Sequence, residues 1–135
     1  MTLSVKEENG LRYIESGTPG ETLLLLHGLF GALSNFQGII DHFADRYNVV
    51  VPLLPIYELP IFQVSVMGLV DFTTKFVEQK GYDKVHLLGN SLGGHVALLY
   101  ALAHPERIAS ITLTGSAGLF ESAFGTAFPK RGDYE

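Results

Sequence analysis

The chain contains no cysteine, which excludes a disulfide framework and a thiolate metal site. It has no basic cluster and a net charge of −5, so the electrostatic footprint of a nucleic-acid binder is missing. It has no apolar run long enough to span a bilayer. The longest runs, such as "TLLLLHGLFGAL", are broken by His27 and by glycines. The N-terminal "MTLSVKEENG" is polar and carries Glu7 and Glu8, unlike the charged-then-apolar order of a signal peptide. Internal repeats and low-complexity linkers are absent too. These absences lead us to expect a cytoplasmic protein with no membrane or nucleic-acid partner. What is present is one domain's worth of chain, 135 residues that are 47% hydrophobic with a mean hydropathy of +0.24. Fifteen glycines and six prolines predict many tight turns.

The apolar pattern alternates between strand and helix. "TLSVKEENGLRYIESG" reads as two partly exposed strands about a hairpin turn at Asn9-Gly10. "ETLLLLHG" (Glu21–Gly28), "YNVVVPLL" (Tyr47–Leu54), "KVHLLGN" (Lys84–Asn90) and "IASITLTG" (Ile108–Gly115) are continuous apolar runs. Such runs predict parallel strands buried on both faces. Between them lie helical stripes. Ser34 is placed to cap the first, with Phe36, Ile39, Ile40, Phe43, Ala44 and Tyr47 on one face. Ser65 is placed to cap the second, which carries Val66, Leu69, Val70, Thr73, Phe76 and Val77 and stops at Gly81. A third starts just after Ser91, runs to about His104 before Pro105, and is apolar almost all round. The order predicts an α/β fold with a mostly parallel sheet.

The stretch with chemical content is "HLLGNSLGGHVALLY" (His86–Tyr100). A buried strand meets a buried helix at Gly89-Asn90-Ser91-Leu92-Gly93. The sharp turn forces Ser91 into a strained backbone and points its hydroxyl out of the sheet. Glycines two residues to either side, Gly89 and Gly93, let strand and helix close up, and Gly94 adds clearance. The turn puts Ser91 at a helix N-terminus, where free N–H groups and partial positive charge favour an anion. The Leu92 N–H is therefore a candidate oxyanion donor. A second donor is expected from His27-Gly28-Leu29-Phe30-Gly31, which leaves a neighbouring strand at the same sheet edge. Leu29 N–H is the first candidate and Phe30 N–H the alternative. The His27 side chain is read as pinning this loop by hydrogen bonds rather than acting as a base.

"LLLLHGLFG", "YNVVVPLLP", "KVHLLGNSLGGHVAL" and "HPERIASITLTG" follow one another in an order and at a spacing that resemble the N-terminal portion of the α/β-hydrolase superfamily. The resemblance covers nearly the whole chain. It implies that Ser91 is the nucleophile and that Leu29 and Leu92 supply the oxyanion N–H groups. His27, Gly28, Phe30, Gly89, Asn90 and Gly93 would shape the site loops. Members usually carry Pro-Asp-Leu-Pro-Gly after the strand at Asn48–Val51. Here Pro52-Leu53-Leu54-Pro55-Ile56 stands instead, offering an apolar wall for an acyl group. In the superfamily the acid and then the histidine follow the serine. Here only His95 and His104 do. His95 lies inside a packed helix, whereas a base must stand beside the bound substrate. His104, His86 (mid-strand and read as buried) and His42 are read as structural. Glu121 and Asp133 are assigned to no triad. They fall in "GSAGLFESAFGTAFPKRGDYE", where the resemblance places the start of a cap. Phe120, Phe124 and Phe128 there suit a lid or an interface.

The expectation is therefore an α/β-hydrolase sheet truncated after its sixth strand. Residues 1–135 would form the N-terminal part of one domain, with a cap beginning near residues 115–135. Complete domains of this kind run to roughly 200–250 residues. The leading functional reading is a serine hydrolase acting on an ester or related acyl substrate through a Ser91 acyl-enzyme. Its acid and base would lie downstream, leaving this stretch by itself nearly inactive. The alternatives are a non-catalytic protein that binds a small apolar ligand or self-associates through the exposed edge at 108–114, and a C–C hydrolase or perhydrolase of the same fold. No metal or organic cofactor is implied.

Overall fold

Asn9 and Gly10 both take positive φ, +52° and +80°, as a two-residue hairpin loop requires. They join β1 (Val5–Glu8) to β2 (Leu11–Gly17), with Glu8 opposite Leu11. The computed structural model describes residues 4–28, 36–56 and 65–115. Its other elements are β3 (Thr22–Leu26), α1 (Gln37–Phe43), β4 (Asn48–Pro52), α2 (Val66–Lys80), β5 (Val85–Asn90), α3 (Leu92–Ala103) and β6 (Ile108–Thr114). The sheet order is β1-β2-β4-β3-β5-β6. The first two pairings are antiparallel, and β4-β3-β5-β6 are all parallel. This is the mostly parallel sheet of the α/β-hydrolase type expected from the sequence.

Side-chain alternation splits the core into two layers. On one face Tyr13, Leu24, Leu26, Val50, Val85 and Leu87 pack beneath α2 and α3, which contribute Leu69, Val70, Phe76, Val77, Val96, Ala97 and Tyr100. On the other face Ile14, Leu25, Val49 and Val51 pack beneath α1, through Phe36 and Ile40. The second helix forms as the sequence predicts. Ser65 Oγ accepts from Gly68 N at 3.0 Å, and Gly81 closes the helix in the left-handed conformation, φ +73°.

The structure departs from the sequence reading in several places. α1 begins at Gln37 with Phe36 at its N-cap, and Ser34, the cap expected from the sequence, lies outside the described residues. Strands β3 and β4 are buried on both faces, but β5 alternates buried and half-buried, and β6 is largely exposed. His86, read as buried, is half-exposed on the face that α3 does not cover. Hydrophobic content alone carried those readings, and it does not report whether a helix lies over a strand. Leu54 and Ile56 are buried within the larger core, so these two side chains form no wall open to a ligand. Leu29, Phe30 and residues 116–135, where a cap is expected to begin, lie outside the described residues.

Candidate active site

Strand β5 ends at Asn90 and α3 starts at Leu92, leaving one residue, Ser91, to reverse the chain. Ser91 sits at φ +56°, ψ −121°, a region that costs a non-glycine residue about 1–3 kcal/mol. Dense packing holds it there. A Cβ on Gly93 would stand 2.1 Å from the Leu26 carbonyl oxygen. One on Gly89 would stand 2.4 Å from the Gly93 oxygen and 2.7 Å from Gly94 Cα. One on Gly28 would meet Ser91 Cβ at 3.0 Å and Leu92 N at 3.4 Å. Three stretches of backbone, from β3, β5 and α3, therefore meet where only hydrogen fits. The contact also sets the His27-Gly28 loop directly against Ser91 and the Leu92 amide.

Hydrogen bonds fix the rest. Ser91 N donates to the Thr114 carbonyl at 3.0 Å, and Thr114 Oγ1 donates to Asn90 Oδ1 at 3.0 Å. The end of β6 thus clamps the turn. Ser91 O accepts from Gly94 N at 2.9 Å and from His95 N at 3.3 Å, opening α3. Leu92, as the first helical residue, has an N–H with no intrahelical acceptor. The Ser91 side chain makes no capping bond. Thr114 was not singled out from the sequence, because its contribution to the turn begins with a backbone carbonyl, for which residue identity gives no signal.

His27 is 6% exposed. Its Nε2 accepts from Leu54 N at 3.0 Å, which leaves Nδ1 as the protonated nitrogen, donating to the Gly28 carbonyl at 3.2 Å. Burial pushes its pKa below the ordinary value, against a smaller upward pull from the Gly28 bond. Both ring nitrogens are engaged, and the ring ties the β3 loop to the segment after β4. His86 bonds Ser110 Oγ at 2.8 Å and Glu21 Oε1 at 3.2 Å. It lies five strand residues from Ser91, about 16 Å. His104 closes α3, stacks on Tyr100 and approaches Thr74 and Glu106. His42 is exposed on α1. His95, one turn into α3, has a pKa lowered by burial. Among the described residues no helix is long and apolar enough to cross a membrane, and no cluster of three or more histidine or acidic side chains could hold a metal ion.

The sheet order, the strained serine between β5 and α3 and the glycine contacts around it coincide with a match to the family model described as alpha/beta hydrolase fold, over residues 21–134. The chain belongs to the α/β-hydrolase family. Its relatives include hydrolases of more than one kind. A 2-hydroxy-6-oxo-6-phenylhexa-2,4-dienoate hydrolase of Burkholderia cepacia is 33% identical over 92% of this chain and 46% of its own length. Monoacylglycerol lipase abhd6-B of Xenopus laevis is 34% identical over 79% of this chain and 34% of its own length. The solved α/β-hydrolase MGS-MChE2, from a metagenome of Mar Chica lagoon sediments in Morocco, is 44% identical with a TM-score of 0.80. It is matched over 87% of this chain and 54% of its own. The chain thus spans about half the length of this solved relative, and less of the two curated ones.

Proposed function

We propose that this chain carries the nucleophile half of a serine hydrolase that acts on an ester or related acyl substrate. The observation that carries the reading is the Ser91 backbone at φ +56°, held between β5 and α3 with its hydroxyl free of any capping bond. Strain of that kind persists where surrounding packing over-determines it, and it clusters at reactive sites. In this mechanism Ser91 Oγ attacks the substrate carbonyl carbon as a base takes its proton. The Leu92 N–H, with Leu29 N–H from the facing loop, holds the developing oxyanion. The tetrahedral species expels the alcohol, which takes the proton back from the base. Water then attacks the acyl-Ser91, releasing the acid and restoring the hydroxyl. The base in this mechanism is a histidine oriented by an acid, and the five histidines here do not supply it: His27, His86 and His104 are engaged in other contacts, His42 is exposed on α1 and His95 is inside α3.

A second reading is favoured by one comparison. The Burkholderia cepacia relative, matched over most of this chain, is a 2-hydroxy-6-oxo-6-phenylhexa-2,4-dienoate hydrolase. The same elbow and oxyanion donors would then serve C–C cleavage. A non-catalytic ligand-binding or self-associating protein is the third.

One experiment separates them. The protein is made from its native gene, its intact mass is compared with 14.7 kDa, and turnover of p-nitrophenyl butyrate and of 2-hydroxy-6-oxo-6-phenylhexa-2,4-dienoate is measured. Ester turnover that Ser91→Ala reduces about 10³-fold or more supports the first reading. Turnover of the dienoate alone supports the second. Activity unchanged by Ser91→Ala overturns both.

A further inference from the structure

The close packing at Gly28, Gly89 and Gly93 sets how near β3, β5 and α3 can come to one another. Such contacts resist compression only. Attraction holding the turn from the other side comes from β6. Asn90 and Thr114 are the last residues paired between β5 and β6, at a ladder end, where strands fray most readily. Thr114 grips the turn twice. Its carbonyl accepts from Ser91 N at 3.0 Å, one residue beyond the end of β5. Its Oγ1 donates to Asn90 Oδ1, also at 3.0 Å. Gly115 then leaves β6 at φ +54°, and a Cβ there would stand 3.7 Å from the same Asn90 oxygen. The Asn90 amide is therefore seated against the exit of β6.

This grip bears on the strained residue. A positive φ at Ser91 relaxes by rotation of the Asn90–Ser91 peptide, and that rotation carries the Ser91 N–H away from the Thr114 carbonyl. We propose that Thr114 is a positioning residue for Ser91. Its hydroxyl, through Asn90, keeps the end of β6 in register, so that its carbonyl holds the peptide that fixes the Ser91 backbone and hence the direction of Oγ. The hydroxyl is the part that depends on residue identity, because any residue supplies a carbonyl. The consequence for catalysis rests on the proposed role of Ser91 as nucleophile; the restraint on the turn does not.

The test uses the protein made from its native gene and two readouts. One is hydrogen exchange of the Ser91 amide, measured by NMR relative to that of Leu87 within β5. The other is the rate at which a fluorophosphonate labels Ser91. Thr114→Val keeps the β-branched shape and the carbonyl but removes the hydroxyl. It should lower the relative protection of Ser91 about fivefold or more, the ordinary net worth of one hydrogen bond, and slow labelling to a similar extent. Thr114→Ser should restore both. Thr112→Val, the same change two residues back on β6, should alter neither. Asn90→Ala should reproduce the loss of protection, and adding it to Thr114→Val should cost no more than either alone. Protection that falls no further at Ser91 than at Leu87 overturns the proposal. So do a Thr114→Ser variant that behaves like Thr114→Val, losses that add in the double variant, and labelling that stays constant while protection falls. A parent protein that is not labelled at all counts against the Ser91 reading, and the exchange data then sustain or overturn the restraint by themselves.

Discussion

The two ends of β5 are built to different tolerances. At Gly89 the backbone touches Gly93, Gly94 and Ala97 so closely that a methyl group has no room. At His86 and Leu88 the same strand faces a groove of about 310 Å³. The alternation of side chains across the sheet puts both environments within five residues. The difference teaches where this fold concentrates its geometric demands. The turn that aims Ser91 is fixed by backbone contacts that no rearrangement of side chains can relieve. The middle of the strand needs only an apolar neighbour of suitable shape.

The sharpest way to break that contrast is to add a methyl group at the tight end. Gly93→Ala places a Cβ 2.1 Å from the Leu26 carbonyl oxygen, and both partners are backbone. β3 and α3 must separate, and we expect a loss of about 3 kcal/mol or more, at the upper end for single substitutions. Urea denaturation of the purified protein would measure it. A loss below about 1 kcal/mol would mean that the elbow is not the rigid junction described. Gly28→Ala is gentler, because its Cβ meets Ser91 Cβ at 3.0 Å. It should displace the serine more than it destabilises the fold, and therefore lower the rate of covalent labelling of Ser91 by a fluorophosphonate.

The loop pin gives the next effect. His27→Ala leaves the Leu54 N–H without its acceptor in a buried setting, at an expected cost of about 1–3 kcal/mol. The same residue makes stability depend on pH. Its folded-state pKa lies below the ordinary value near 6.5, so the unfolded chain binds a proton more readily than the folded one. Its contribution is therefore present above about pH 6.5 and is lost as the pH falls toward the folded value. His95 is lowered by burial as well and acts in the same direction. Midpoints of thermal unfolding should fall between pH 7 and pH 5, and His27→Gln should flatten part of that fall. A profile identical to the parent's would show that His27 is not held neutral.

Much of this was legible in the sequence, and the limits are instructive. The hairpin at Asn9-Gly10, the Ser65 and Gly81 caps and the elbow around Ser91 all rest on local rules about φ, side-chain acceptors and missing Cβ atoms, which a short stretch carries by itself. The exposure of β6 and of His86 was not legible, because "IASITLTG" and "KVHLLGN" report only that they could be buried. Whether a strand is covered is decided by other parts of a fold, at long range in sequence. The Thr114 clamp on Ser91 escaped notice for a related reason: a carbonyl accepting from a backbone N–H can come from any residue type. The exchange of the usual Asp for Leu53 was visible, but the reading of an apolar wall failed at Leu54 and Ile56. The Leu54 amide is drawn to His27 and the side chains turn into the core.

The smallest expected effect sharpens the comparison from the permissive side. Gly38 lies exposed in the first turn of α1 at negative φ, and a Cβ there meets nothing within 4 Å. The residue is helical, so alanine adopts its conformation without strain and restricts the unfolded chain more than glycine does. Gly38→Ala should therefore stabilise the protein by about 0.5 kcal/mol. It should leave the labelling rate of Ser91 unaltered, because α1 lies across the sheet from α3. The same chemical change, one methyl on a glycine, then has opposite signs at Gly38 and Gly93. If both positions destabilised alike, the penalty at Gly93 would be a general cost of altering a marginal domain. Opposite signs would locate the demand in the backbone junction that holds Ser91.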